Sequence, residues 1–115
     1  MLPPEREELA EMLACRQQLV DDITVRNRQL EYLWSERTRH IVNEMIGCLT
    51  NEGKELDKTI DAHVAAYTEL QDTVDLLTTM RGCGRILALT LITEMPELGQ
   101  LDRRQIAALA NLAYP

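Results

Sequence analysis

The sequence predicts an all-α protein: a long antiparallel helical hairpin or coiled coil, followed by a small helix-hairpin-helix-like unit. Three observations predict it. Apolar residues recur at alternating three- and four-residue steps over nearly four heptads at the start of the chain. No segment alternates with the period of a strand. Aromatic residues make up only 3% of the 115 residues, with no Phe and a single Trp, so Leu, Ile, Met and Ala must do the packing. That usage, with 27% charged residues, suits long helices. The length allows one domain, or an arm joined to a second small unit. The boundaries read as 1–67 for the arm and 68–115 for the second unit.

The first helix opens at Pro3 and Pro4, tolerated in a first turn, with Glu5, Glu7 and Glu8 at the positive end of its dipole. Leu9, Met12, Leu19, Ile23, Leu30 and Leu33 then form a seam, in which Arg16 and Arg26 occupy two further positions. This spacing predicts an amphipathic helix of roughly 45 Å. An arginine in a seam either fixes register against a carboxylate or contacts a nucleic-acid backbone. Ser35 reads as the N-cap of a second helix. That helix carries Ile41, Met45, Leu49, Leu56, Ile60, Val64 and Tyr67 on one side, and Gly47 and Gly53 suggest a kink near 50–54. Two such helices pack as a hairpin, too narrow to bury both stripes. A homodimer or higher helical oligomer is therefore expected, with the six apolar seam residues as its dimerisation contacts.

Thr68-x-x-Gln71 has the form of a capping box opening a third helix over about 69–80, ended by Gly82-Cys83-Gly84. A fourth helix over about 85–95 stops at Pro96 and the Glu97-Leu98-Gly99 turn. Asp102-x-x-Gln105 suggests a fifth, running through Leu112.

The net charge of −7 at first opposes a nucleic-acid role, but it is unevenly placed. Residues 81–115 hold four arginines against three acids, a net of +1, which leaves −8 on the first 80 residues. Cys15, Cys48 and Cys83 are odd in number and lack metal-knuckle spacing, which argues for reduced thiols. His40 and His63 are too far apart to form a local metal pair, and no metal or cofactor is expected in this chain. The acidic start is unlike a signal peptide, and the longest apolar run, near Ile86–Ile92, is far short of a membrane span. A cytoplasmic protein without membrane contact is the expectation.

Gly82-x-Gly84, with Arg81 and Arg85 on either side, carries the one local pattern with chemistry in it. In a helix-hairpin-helix unit, glycines let bare backbone approach a ligand, and the free N–H groups opening the next helix point at a phosphate. Ala88 would allow close helix packing, and Arg103 and Arg104 would add charge. Such a grip positions a backbone without reading bases. Gly-x-Gly between helices is equally an ordinary C-cap and turn.

The run from Arg81 through Pro96-Glu-Leu-Gly99 and Leu101-Asp-Arg-Arg-Gln-Ile-Ala-Ala-Leu109 to Pro115 resembles the start of the C-terminal domain of one family. These are the insertion-sequence transposases that carry an N-terminal DEDD (RuvC-like) nuclease domain and use a structured guide RNA. Upstream, Arg16-Gln-Gln-Leu-Val20 and Arg26-Asn-Arg28-x-Leu30 are similar to that family's coiled-coil segment. The resemblance implies DNA and a guide RNA as partners. It also implies DNA binding through Arg81, Gly82, Gly84, Arg85, Arg103 and Arg104. Catalysis in such a protein is expected from four metal-holding carboxylates and a C-terminal serine. Neither falls within these 115 residues, and Ser35 does not substitute for that serine, so the chain is expected to be a piece that is inactive alone. A plain helical dimerisation module is the alternative.

Overall fold

The structure, a computed structural model, describes residues 3–80 and 82–94. Those residues form four α-helices and no strand: α1 (Pro4–Tyr32), α2 (Glu36–Ala66), α3 (Thr68–Thr78) and α4 (Arg85–Glu94). The fold class is all-α. The fifth helix and the Pro96–Gly99 turn expected from the sequence lie outside the described residues.

Two compact units can be recognised, one spanning Met12–Asp61 and the other drawing on residues up to Glu11 and from Ala62 onward. The sequence boundary at residue 67 falls at the α2–α3 junction, whereas compactness groups the first turns of α1 with α3 and α4.

In the Met12–Asp61 unit, α1 and α2 run antiparallel. Arg16 Nε meets Asp57 Oδ1 at 2.8 Å, while near the junction the Arg39 guanidinium donates to the carbonyls of Leu30 and Leu33 at 2.6 and 2.9 Å. Those carbonyls belong to the end of α1, where a helix has no internal donors left, so Arg39 acts as its C-cap from across the turn. Ser35 opens α2 as the sequence suggests. Its carbonyl accepts from Arg39 N at 2.9 Å and its hydroxyl from Thr38 N at a long 3.5 Å.

The α1 seam is the half-buried face of that helix within this unit: Met12, Arg16, Leu19, Ile23, Arg26, Leu30 and Leu33 are all intermediate in exposure. The inward face of α2 is set one residue away from the stripe read in the sequence at its first end. Val42 is buried and Ile46 half-buried, whereas Ile41 and Met45 are 53% and 39% exposed. The reason is register. Arg39, Val42, Ile46, Leu49, Gly53, Leu56 and Ile60 follow an unbroken three–four alternation, which matches the α1 seam better than the four-step of Ile41 and Met45. α2 is continuous through Gly47 and Gly53.

The second unit has a compact core of Leu9, Val64, Leu70, Val74, Leu77, Ala88, Leu89 and Ile92, each at most 4% exposed. Leu70, Val74 and Leu77 form the i, i+4, i+7 stripe of α3, and Ala88, Leu89 and Ile92 the facing stripe of α4. Burying each of the larger side chains contributes about 1.5–3 kcal/mol, so this short pair of helices is held chiefly by packing. α3 begins one residue earlier than the capping box requires. Tyr67 is its N-cap, in extended conformation and without a side-chain cap, while Gln71 Nε2 donates to Asp75 at 2.7 Å. Thr68 therefore lies inside the first turn, and the box does not form.

Two polar groups tie the start of α1 into this core. Arg6 is 6% exposed and its Nη1 donates to the Ile92 carbonyl, in the last turn of α4, at 3.4 Å. His63 Nε2 lies 2.7 Å from the Glu5 carbonyl and so carries the proton there, with Nδ1 3.7 Å from the Glu8 carboxylate. Its ring packs at a tilt on Tyr67, with centroids 5.2 Å apart.

Candidate nucleic-acid interface

The turn between α3 and α4 is built by ordinary backbone chemistry. Thr79 ends α3 in helical conformation, its N–H shared between the Asp75 and Leu76 carbonyls at 3.3 Å each. Cys83 N donates to Met80 O at 3.2 Å, closing a four-residue turn. Gly82 has φ 83°, a left-handed value that glycine adopts without a steric penalty.

Gly84 is different. It has no left-handed φ, and a Cβ built on it would touch nothing within 4 Å. Its carbonyl accepts from Ala88 N at 3.0 Å, which makes it the N-cap of α4. The two glycines thus divide the work. One reverses the chain, and the other leaves an open approach to the helix start.

The first N–H groups of α4 have no acceptor inside their own helix and point out of its positive end toward the turn. Arg85 lies exposed at that end and is engaged with neighbouring groups. Ala88, one turn further on, is fully buried, and its small side chain lets α4 lie against α3. Burial pushes the half-exposed Cys83 thiol above its usual range, so this group in the turn is uncharged at neutral pH. α3 carries exposed Asp72 and Asp75.

Of the residues singled out from the sequence, Gly82, Gly84 and Arg85 are brought together at this turn. Arg81, Arg103 and Arg104 lie outside the described residues. Leu9 is buried in the unit that contains the turn, and Met12, Leu19, Ile23, Leu30 and Leu33 lie half-buried in the hairpin unit. Among the described residues no three His, Cys, Asp or Glu groups are placed to hold a metal ion, and no helix is long and apolar enough to cross a membrane. Sequence reasoning missed Arg6, a first-turn arginine that looks solvated until the fold brings an α4 carbonyl to it.

Fold and turn define a class: an all-α protein with one antiparallel helix pair in one unit and a glycine-reversed α3–α4 hairpin in the other. Comparison with known families, with characterised proteins and with solved structures returns no match.

Proposed function

We propose that this chain is part of a DNA transposase of the DEDD-and-serine kind that its sequence resembles, contributing dimerisation and contact with DNA phosphates irrespective of base sequence. The observation that carries the reading is the Gly82 turn. Its positive φ feeds the chain into the N-terminus of α4, where the opening N–H groups of the helix, its dipole and Arg85 converge. Those are the elements that a backbone phosphate requires. Gly84 supports it further, because a side chain is absent where a phosphate oxygen would have to approach the backbone. Because the contact is electrostatic, it weakens as salt rises, in proportion to the number of phosphates neutralised.

The half-buried state of the α1 seam supports the dimer: two helices alone leave the stripe partly in water. A structured guide RNA is the second partner the resemblance implies. Catalysis is not proposed for these residues by themselves.

A gel-shift with branched and single-stranded DNA at low and moderate salt tests the reading. Binding that falls with salt and weakens in the Arg81→Ala/Arg85→Ala variant supports it. No shift at any salt favours the second reading, a helical interaction module without a nucleic-acid role. One observation speaks for that module, the exposure of Ile41 and Met45 along one face of α2.

A further inference from the structure

The end of the hairpin unit where α1 passes into α2 combines two features that the seam and the α3–α4 turn leave unused. The first is charge. Between Arg26 and His40 the chain places four of its twelve Lys and Arg residues against two acids, Glu31 and Glu36. That net of +2 leaves −9 on the rest of the chain. The second is aromatic surface. Trp34, the only tryptophan, is 92% exposed, and Tyr32 is 82% exposed. Large rings are costly to leave in water, and a fold that needed them for stability would bury them.

The arrangement around the rings is ordered. Arg39 is committed to the Leu30 and Leu33 carbonyls and holds the junction together, and Arg26 donates to Gln29 Oε1 at 3.0 Å. Arg28 and Arg37 are exposed and form no ion pair or side-chain hydrogen bond among the described residues. Arg28 lies one helical turn before Tyr32, and Arg37 three residues beyond Trp34. Each exposed ring thus has an exposed arginine within four residues of it in the chain, on a braced junction.

A basic patch on an acidic chain selects a polyanion. Exposed ring faces select among polyanions, because a duplex keeps its bases stacked on each other, while an unpaired strand offers free base faces. We propose that this tip binds single-stranded nucleic acid, with Trp34 and Tyr32 stacking on bases and Arg28 and Arg37 meeting phosphates. Such a grip tolerates many sequences, since every base has a face to stack. It uses other residues than the α3–α4 turn and does not rest on DNA contact there.

The lone tryptophan makes the test direct. The full chain is titrated with unstructured oligo(dT) and oligo(U) and, separately, with a duplex, while Trp34 emission is followed at low and moderate salt. The expected result is saturable quenching by a single strand, weaker with duplex and reduced by salt; the tighter of the two oligomers names DNA or RNA as the source. Labelled-oligonucleotide anisotropy should show Trp34→Ala weakening binding at least about fivefold. Arg28→Ala/Arg37→Ala should lower the salt dependence. Both variants alter exposed residues, and helical circular dichroism checks that each stays folded.

Absent quenching at low salt overturns the proposal, as does unchanged affinity in a folded Trp34→Ala variant. Quenching that follows protein concentration without any oligonucleotide also overturns it, and assigns the rings to a protein surface. Because emission reads Trp34 alone, this outcome is separate from that of DNA binding at the α3–α4 turn.

Discussion

Gly82 and Gly84 are two residues apart, yet only the first has a conformation that excludes side chains. A left-handed φ costs an L-residue about 1–2 kcal/mol, so Gly82→Ala should lower stability by about that amount. Gly84→Ala meets open space at an ordinary φ and should lose only about 0.5 kcal/mol, the preference of an N-cap for glycine over alanine. Urea denaturation of the pair checks the contrast, and equal losses at both sites would contradict it. Cys83 provides a second residue-scale prediction. Burial raises its pKa, so the thiol stays protonated above its usual range; with Cys15 and Cys48 exposed, Cys83 should label last with a thiolate-selective reagent. The sign for stability follows. The advantage of the neutral thiol is fully present below the unfolded-state pKa and is lost as pH rises through the raised folded one. Arg6 is the residue whose role the sequence hid most completely. Periodicity marks it as a polar first-turn position, and only the fold brings the Ile92 carbonyl to it. Arg6→Ala should cost about 1–3 kcal/mol, because it strands a buried acceptor.

Among elements, α1 was the most legible, since its heptads continue long enough for the period to be unambiguous. α2 was legible as a helix but not as a face. Ile41 and Met45, and Val42 and Ile46, fit the same four-residue step, and only pairing with the α1 seam separates them. The capping box at Thr68 failed for a local reason, because Tyr67 takes the extended cap conformation one residue earlier. Gly47 and Gly53 lie inside the continuous helix α2. Neither breaks the helix, and a Cβ at Gly47 or Gly53 would meet nothing within 4 Å. Each therefore carries only its propensity cost, and Gly47→Ala should raise stability by about 0.5–1 kcal/mol, read as a higher Tm. The ion pair between Arg16 and Asp57 is partly exposed, so a double-mutant cycle should give no more than about 1 kcal/mol. Its contribution is register rather than strength.

For the whole molecule, a total charge of −7 hides two arginine-bearing places: the junction of α1 with α2, and the segment that begins at the α3–α4 turn. The second was legible in the sequence as glycines with flanking arginines. The first was not, because exposure of Trp34 and Tyr32 is a property of the fold that composition alone cannot give. Self-association belongs at this scale too. Light scattering at micromolar concentration should show a dimer or larger helical oligomer, and a monomer would remove the proposed role of the seam. The most direct test is DNA binding as a function of salt, comparing the parent chain with Arg81→Ala/Arg85→Ala. Phosphate contact at the turn predicts a parent affinity that falls as salt rises, and a folded variant that binds more weakly with its log–log salt slope reduced by about one to two. Binding that is absent at low salt, or identical in the folded variant, would contradict it.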